Sequence, residues 1–145
     1  FRFPYTRQVA VFDTGYHAKM LPHVYRYAVP SAWYHQHGVR RYPSLETQVT
    51  PRVSIIPQDG FHGTSHDYVV RRAASLLGER ARVVSCHLGA GCSLAASVTG
   101  EAGARDTSMG FSPLSGLMMG TRSGDCDPGL VTHMADRSVF TSCAW

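Results

Sequence analysis

Residues 82–98 constrain this chain more than any other stretch. Arg82, Val83, Val84, Ser85 and Cys86 read as a strand, and the chain then breaks into His87, Leu88, Gly89, Ala90 and Gly91. Two glycines let a backbone turn sharply and bring its N–H groups close to a ligand. Such amide clusters bind phosphate oxygens without a positive side chain, and His87 offers a further hydrogen bond. A plain tight β-turn would use the same residues. From Cys92 to Val98 the sequence alternates, placing Leu94, Ala96 and Val98 on one side of a second strand. Thr99 and Gly100 read as the turn of a hairpin.

Ahead of these strands lies the clearest helix, 64–77. Thr64 and Asp67 have capping-box spacing. Val69, Ala73, Leu76 and Leu77 form an apolar stripe, and Gly78 provides a stop. Further upstream, 8–13 reads as a short buried strand, because Val9, Ala10, Val11 and Phe12 are continuously apolar, and it ends on Asp13-Thr14-Gly15. Ser31 is placed to cap a short helix running through His37, with Gly38 ending it. Residues 43–59 carry three prolines and read as a loop or insertion. Residues 110–129 are rich in glycine and proline and read mostly as loop. Asp127 and Pro128 suit the cap and first turn of a last helix. Strands and helices alternate with a hairpin between, which places the chain in the α/β class.

Composition removes several alternatives. The 145 residues are 43% hydrophobic and 17% charged, a globular profile and not a disordered one. No apolar run approaches the roughly 18–20 residues of a membrane helix, and no secretory signal is visible. The formal net charge of +4 would suit anionic partners, yet the basic residues are scattered and no basic stripe with interleaved aromatics appears. Nucleic acid and membrane are therefore not expected partners. Cys86, Cys92, Cys126 and Cys143 contain no CxxC pair, and the expected setting is the reducing cytoplasm. No metal site built from these cysteines is expected. The chain starts on Phe1 and not on Met, which suggests a start further upstream.

Three polar side chains sit where chemistry is plausible. Asp13 follows an apolar run, and catalytic carboxylates often stand at a strand's carboxyl end; a turn-forming aspartate is the plainer reading. His62, in Phe61-His62-Gly63-Thr64-Ser65-His66, precedes a helix whose free N–H groups carry partial positive charge. An imidazole there can stabilise anionic oxygens, or two histidines can simply flank a capped helix. Arg122, in a glycine-rich loop, can clamp a carboxylate or phosphoryl group in two-point fashion, or pair with Asp125 on the surface.

Taken together and in this order, these strings resemble acetate kinases: VFDTGYH at 11–17, RRY at 40–42, FHGTSH at 61–66, CHLGAGCSLAA at 86–96, DTSMGFSPLSGLMMGTRSGD at 106–125 and DPGLV at 127–131. Propionate and butyrate kinases are relatives of that family. The resemblance implies a partial copy of the α/β fold of the acetate and sugar kinase, heat-shock chaperone and actin superfamily (ribonuclease H-like). In that scheme 1–13 closes a first kinase domain, 14–137 form the hinge and the first half of the second, 43–59 are inserted, and 138–145 are a tail foreign to the family. It implies transfer of the ATP γ-phosphoryl to acetate, giving ADP and acetyl phosphate, with Mg2+ as cofactor and a homodimer for the full-length protein.

The resemblance also implies roles. Asp13 matches an active-site aspartate thought to help place magnesium and the phosphates. His62 and Arg122 match a histidine and an arginine that stabilise the transition state. His87, Leu88, Gly89, Ala90 and Gly91 match the loop that holds the ATP phosphates. Phe61 and Pro113 match walls of the pocket for the acetate methyl group. Ala90 departs from the family's usual asparagine. Residues 43–59 interrupt RRYGFHGTSH, which reappears if Tyr42 is joined to Gly60; retained intron sequence or a diverged paralogue would each explain this. Sections that supply a further arginine, the adenosine pocket and a magnesium-binding glutamate in the family have no counterpart here. The chain alone is therefore expected to be inactive.

Overall fold

A computed structural model describes residues 7, 11–41 and 61–135. The insertion 43–59, the tail 138–145 and the upstream half of the expected strand at 8–13 lie outside the described residues. The elements run in order as a 3₁₀ helix (Asp13–His17), α1 (Pro22–Tyr25), α2 (Ser31–His37), α3 (Gly63–Leu77), β1 (Arg82–Leu88), β2 (Cys92–Val98), β3 (Asp106–Thr107) and α4 (Pro128–Ala135).

The sheet is three-stranded and antiparallel in the order β1-β2-β3. β1 and β2 pair along their whole length, from Arg82 opposite Val98 to Leu88 opposite Cys92. The hairpin turn is therefore Gly89-Ala90-Gly91, closed by Gly89 N–H donating to the Gly91 carbonyl at 2.9 Å. The expected turn at Thr99-Gly100 is also present and opens the connection to β3, which pairs antiparallel with β2 at Ala95 and Ala96.

The buried face of β2 is the one opposite Leu94, Ala96 and Val98. Ser93, Ala95 and Ser97 are buried, whereas Leu94, Ala96 and Val98 are half-buried. Ser85 of β1 joins the buried face. Small hydroxyl side chains let α3 and the 3₁₀ helix come close, and imidazole and phenol groups satisfy the hydroxyls that this approach buries. His66 bonds to Ser85 and Ser93, and Tyr16 Oη lies 2.8 Å from Ser97 Oγ. Apolar alternation alone could not reveal this, because the pairing is polar.

The same contact rotates α3 away from its expected stripe. Gly63, His66 and Val70 face inward, while Val69, Leu76 and Leu77 are exposed. Gly63 sets the docking. A Cβ there would stand 1.8 Å from the Asp13 carbonyl oxygen, so any other residue would push the helix off the 3₁₀ turn. Thr64 and Asp67 do not form a capping box. His62 is the N-cap residue, without a side-chain cap bond, and Asp67 instead pairs with Arg71 one turn on at 2.9 Å. The cap comes from 51 residues upstream: Asp13 Oδ1 accepts from Thr64 Oγ1 at 3.1 Å and from Thr64 N–H at 3.4 Å.

Asp13 does not end a strand. Val11 and Phe12 have no regular structure and are exposed, and Asp13 opens the 3₁₀ helix. Ser31 is the first residue of α2 and not its cap. The helix stops at Gly38 and Gly78, both left-handed, were legible, as was the cap of α4, where Asp127 Oδ1 accepts from Gly129 N–H at 2.8 Å. A small apolar core of Met20, Phe61, Met109 and Met119 lies beneath the loops. Arg41 ties those loops to the sheet by donating to the Val24, Thr107 and Met109 carbonyls beside Asp106.

Candidate functional site

His62 and Gly63 carry the chain from the core into α3. His62 is the described non-glycine residue with positive φ, at 59°. A residue with a Cβ held in that conformation stores strain of order 1–3 kcal/mol, of the kind found at functional sites. The strain sets the ring against β1, where it stacks on His87 with centroids 3.8 Å apart and planes 15° off parallel. His62 Nδ1 lies 2.9 Å from Ser93 Oγ, and His87 Nδ1 lies 2.9 Å from Ser65 Oγ.

Arg122 reaches this place from the far side of a long loop. Gly116 N–H donates to Asp125 Oδ1 at 2.8 Å and Met119 N–H donates to the Arg122 carbonyl at 2.9 Å, so the loop is braced by its own bonds. Asp125 is thus occupied at the loop's base and does not pair with Arg122. The guanidinium instead donates through Nη1 to the Pro113 carbonyl at 2.9 Å. Anchored on one edge, it presents Nη2 to the hairpin turn.

At Gly91 the three parts meet. A Cβ added there would lie 2.6 Å from Arg122 Nη2 and 3.1 Å from His62 Nε2. The absent side chain leaves a small gap bordered by a guanidinium, an imidazole and the backbone of a glycine turn. Asp13 stands close enough to act on the same imidazole. Burial lowers the His62 pKa first, the His87 and Arg122 charges lower it further, and Asp13 raises it. His66, directly behind, is pushed down from 6.5 to about 4 by burial and by the neighbouring histidines. Neutral imidazoles beside a fixed guanidinium form a site that gains when an anion arrives.

The structure therefore brings Asp13, His62, His87, Gly91 and Arg122 together. Leu88 is the last residue of β1, with its side chain largely exposed. Gly89 and Ala90 complete the turn. Pro113 adjoins the cluster through its carbonyl. Phe61 is different: its exposure is 0% and it packs in the methionine core, so it offers no surface to a ligand here. Sequence reasoning missed Ser65, Ser85, Ser93 and the role of His66. The signal was serine on one face of each strand, Ser85 in β1 and Ser93 and Ser97 in β2.

A separate cavity lies along α3, away from this cluster. It has a volume of about 630 Å3, and Tyr16, Thr64, Val70 and Arg71 are among its lining residues. It has opposite charges on its rim and none of the clustered histidines. Among the described residues, no group of three or more His, Cys, Asp or Glu side chains could hold a metal ion, and no helix is long and apolar enough to cross a membrane.

The comparisons with known proteins agree with one another. A family model described as "Acetokinase family" matches residues 2–143, a span that includes 43–59 and most of 138–145. The acetate kinase of Ectopseudomonas mendocina (strain ymp) is 51% identical over 136 residues, which is 92% of this chain and 30% of that protein. The acetate kinase of Deinococcus deserti is 52% identical over 130 residues, 88% of this chain and 28% of that protein. Among solved structures, the acetate kinase of Porphyromonas gingivalis aligns with a TM-score of 0.73 at 45% identity, covering 94% of this chain and 30% of that one. A propionate kinase from Francisella tularensis aligns with a TM-score of 0.74 at 42% identity, covering 94% and 31%. The chain thus spans about 30% of the length of these relatives.

Proposed function

Because the chain belongs to the acetokinase family, we propose that it forms part of a phosphotransferase that moves the γ-phosphoryl of ATP to acetate, giving ADP and acetyl phosphate, and back. Its fold is a partial copy of the α/β fold of acetate and sugar kinases, heat-shock chaperones and actin, as its kinase neighbours indicate. Within that scheme 1–13 close one domain and 14–137 open the next. The full-length protein is proposed to be a cytoplasmic homodimer that binds neither nucleic acid nor membrane.

The observation that carries this reading is the meeting at Gly91, where turn, guanidinium and imidazole surround one gap. Phosphoryl transfer asks for positioning and charge neutralisation more than for covalent help. The Arg122 guanidinium neutralises the transferring group, and its bond to Pro113 supplies the positioning. His62, once it carries a second proton, donates a hydrogen bond to the same oxygens. The loop of His87, Leu88, Gly89, Ala90 and Gly91 holds the nucleotide phosphates, with Gly89 N–H already donating to the Gly91 carbonyl. Pro113 lines the small carboxylate pocket, and Phe61 backs it from the core. One methylene is worth only about 1–3 kcal/mol in such a pocket, so propionate is a second acceptor, a reading favoured by the propionate kinase neighbour.

Magnesium commonly takes one or two carboxylates together with substrate phosphates and waters. Of the clustered residues only Asp13 is a carboxylate, and one of its oxygens already caps α3. This chain alone thus offers a partial magnesium site at most, and magnesium would supply charge neutralisation across the phosphates. Alone, the chain turns over no substrate.

The test is a chimera carrying residues 61–135 of this chain in the frame of the Porphyromonas gingivalis acetate kinase. Acetyl phosphate formation from ATP and acetate, trapped as hydroxamate, is expected, and Arg122→Ala should lower it by about a hundredfold or more. A folded chimera that makes no acetyl phosphate, or one indifferent to Arg122→Ala, refutes the reading.

A further inference from the structure

Behind His62 lies a row of buried polar groups that the proposed chemistry does not use. Ser93 is 0% exposed, His66 1% and Ser85 2%. Ser85 Oγ lies 3.3 Å from the Ala95 carbonyl and 2.8 Å from His66 Nδ1. Ser93 Oγ lies 2.8 Å from His66 Nε2 and 2.9 Å from His62 Nδ1. Water cannot reach this row, so each proton in it has to be shared among its own members.

A hydroxyl carries a single proton, and a neutral imidazole carries a proton on one nitrogen and a lone pair on the other. Those two facts order the row. Ser85 donates to the Ala95 carbonyl, which can only accept. Toward His66 the Ser85 oxygen is then an acceptor, so His66 Nδ1 carries the ring proton. His66 Nε2 is bare and accepts from the Ser93 hydroxyl. Ser93 has then spent its proton and can only accept from His62, so His62 carries its proton on Nδ1. The bare Nε2 of His62 faces the gap at Gly91.

We propose that Ser85, His66 and Ser93 are positioning residues that hold His62 as its Nδ1–H tautomer, with the Nε2 lone pair directed at the anion site. The consequence for the proposed reaction is specific. Phosphoryl oxygens only accept, so His62 meets them as a donor only after a proton arrives on Nε2. Because Nδ1–H already donates to Ser93, that proton is taken up without any bond in the row reversing. The opposite polarity would leave His62 a neutral donor, and would force Ser93 and His66 to turn over whenever the ring became charged. This inference rests on the kinase reading for what His62 does, but not for which nitrogen bears the proton.

The test is a long-range 1H–15N spectrum of the full chain, labelled with 15N-histidine near neutral pH and assigned by single His→Gln substitutions. Both His62 and His66 should show a protonated Nδ1 and a bare Nε2. Ser93→Ala should release His62 toward averaged nitrogen shifts while His66, still held by Ser85, keeps its pattern. If Ser93→Ala fails to fold, Ser85→Ala should loosen the pattern of both rings. A bare Nδ1 on His62 in the wild-type chain overturns the proposal, as does a His62 pattern indifferent to the substitution that folds. Loss of the kinase reading would look different: His62→Ala in the chimera would keep full activity while the nitrogen pattern of the chain stayed as described.

Discussion

Alanine at Gly91 separates the site from the fold. Gly91 is not among the positive-φ glycines, so its backbone accepts an alanine. The new Cβ would stand 2.6 Å from Arg122 Nη2, whereas ordinary contact begins at 3.4 Å. The guanidinium must give way by about 1 Å, and the His62 ring, at 3.1 Å, by a few tenths. Since Nη1 is bonded to the Pro113 carbonyl, Arg122 yields by swinging about that bond or by losing it. Either motion takes the free edge of the guanidinium out of the gap. A displacement of about 1 Å at a reacting centre costs roughly a hundredfold in rate. Stability should scarcely change, because the obstacle is the far end of a flexible side chain. Replacing glycine also removes unfolded-state freedom worth about 0.4–1 kcal/mol. The assay is hydroxamate-trapped acetyl phosphate in the chimera, with kcat and KM read separately, beside a circular-dichroism melt of the chain. The expected result is a fall in kcat/KM of about a hundredfold and a Tm within about 4 °C of the parent. Activity within about threefold of the parent would refute the argument that this gap is where the phosphoryl group sits. A collapse in Tm would show that Gly91 serves the fold.

Gly63→Ala is the complementary case. Its Cβ would meet the Asp13 carbonyl oxygen at 1.8 Å, a backbone atom that cannot swing aside. Loss of about 3 kcal/mol or more is expected in a denaturant melt, and near-parental stability would sink the docking argument. Asp13→Ala removes the remote cap on Thr64 and should cost about 1 kcal/mol, whereas Asp13→Asn keeps an acceptor and should cost less, again by denaturant melt. Burial holds the His17 pKa down from 6.5 to about 4, so the folded state resists a proton that the unfolded state accepts. Stability should be flat above about pH 7, fall as pH drops from about 6.5 to 4, and level off below. The loss for His17 is on the order of 3 kcal/mol. A Tm unchanged between pH 7 and pH 5 would contradict this. The purified chain should form no acetyl phosphate from ATP and acetate, and sustained turnover by it would show that the section in hand suffices.

Local chemistry was legible wherever one residue dictates its own backbone. Gly38 and Gly78 end helices, Asp127 caps α4, and the glycines at 89 and 91 turn a hairpin, because the constraint lies within a few residues of each. The order of the polar strings was also enough to point to the family, and Asp13, His62 and Arg122 could be named as candidates before their neighbours were known. What tertiary structure decided is which faces go inward and what holds the site. Apolar periodicity predicts the buried side only when burial is driven by apolar area. Here α3 meets the sheet through His66 on Ser85 and Ser93, so the leucine and valine stripe turned outward and the serine face turned in. Asp13 caps a helix 51 residues away, and Arg122 reaches Gly91 across 31 positions of the chain. Such contacts depend on distances in space, which a pattern along the chain does not encode.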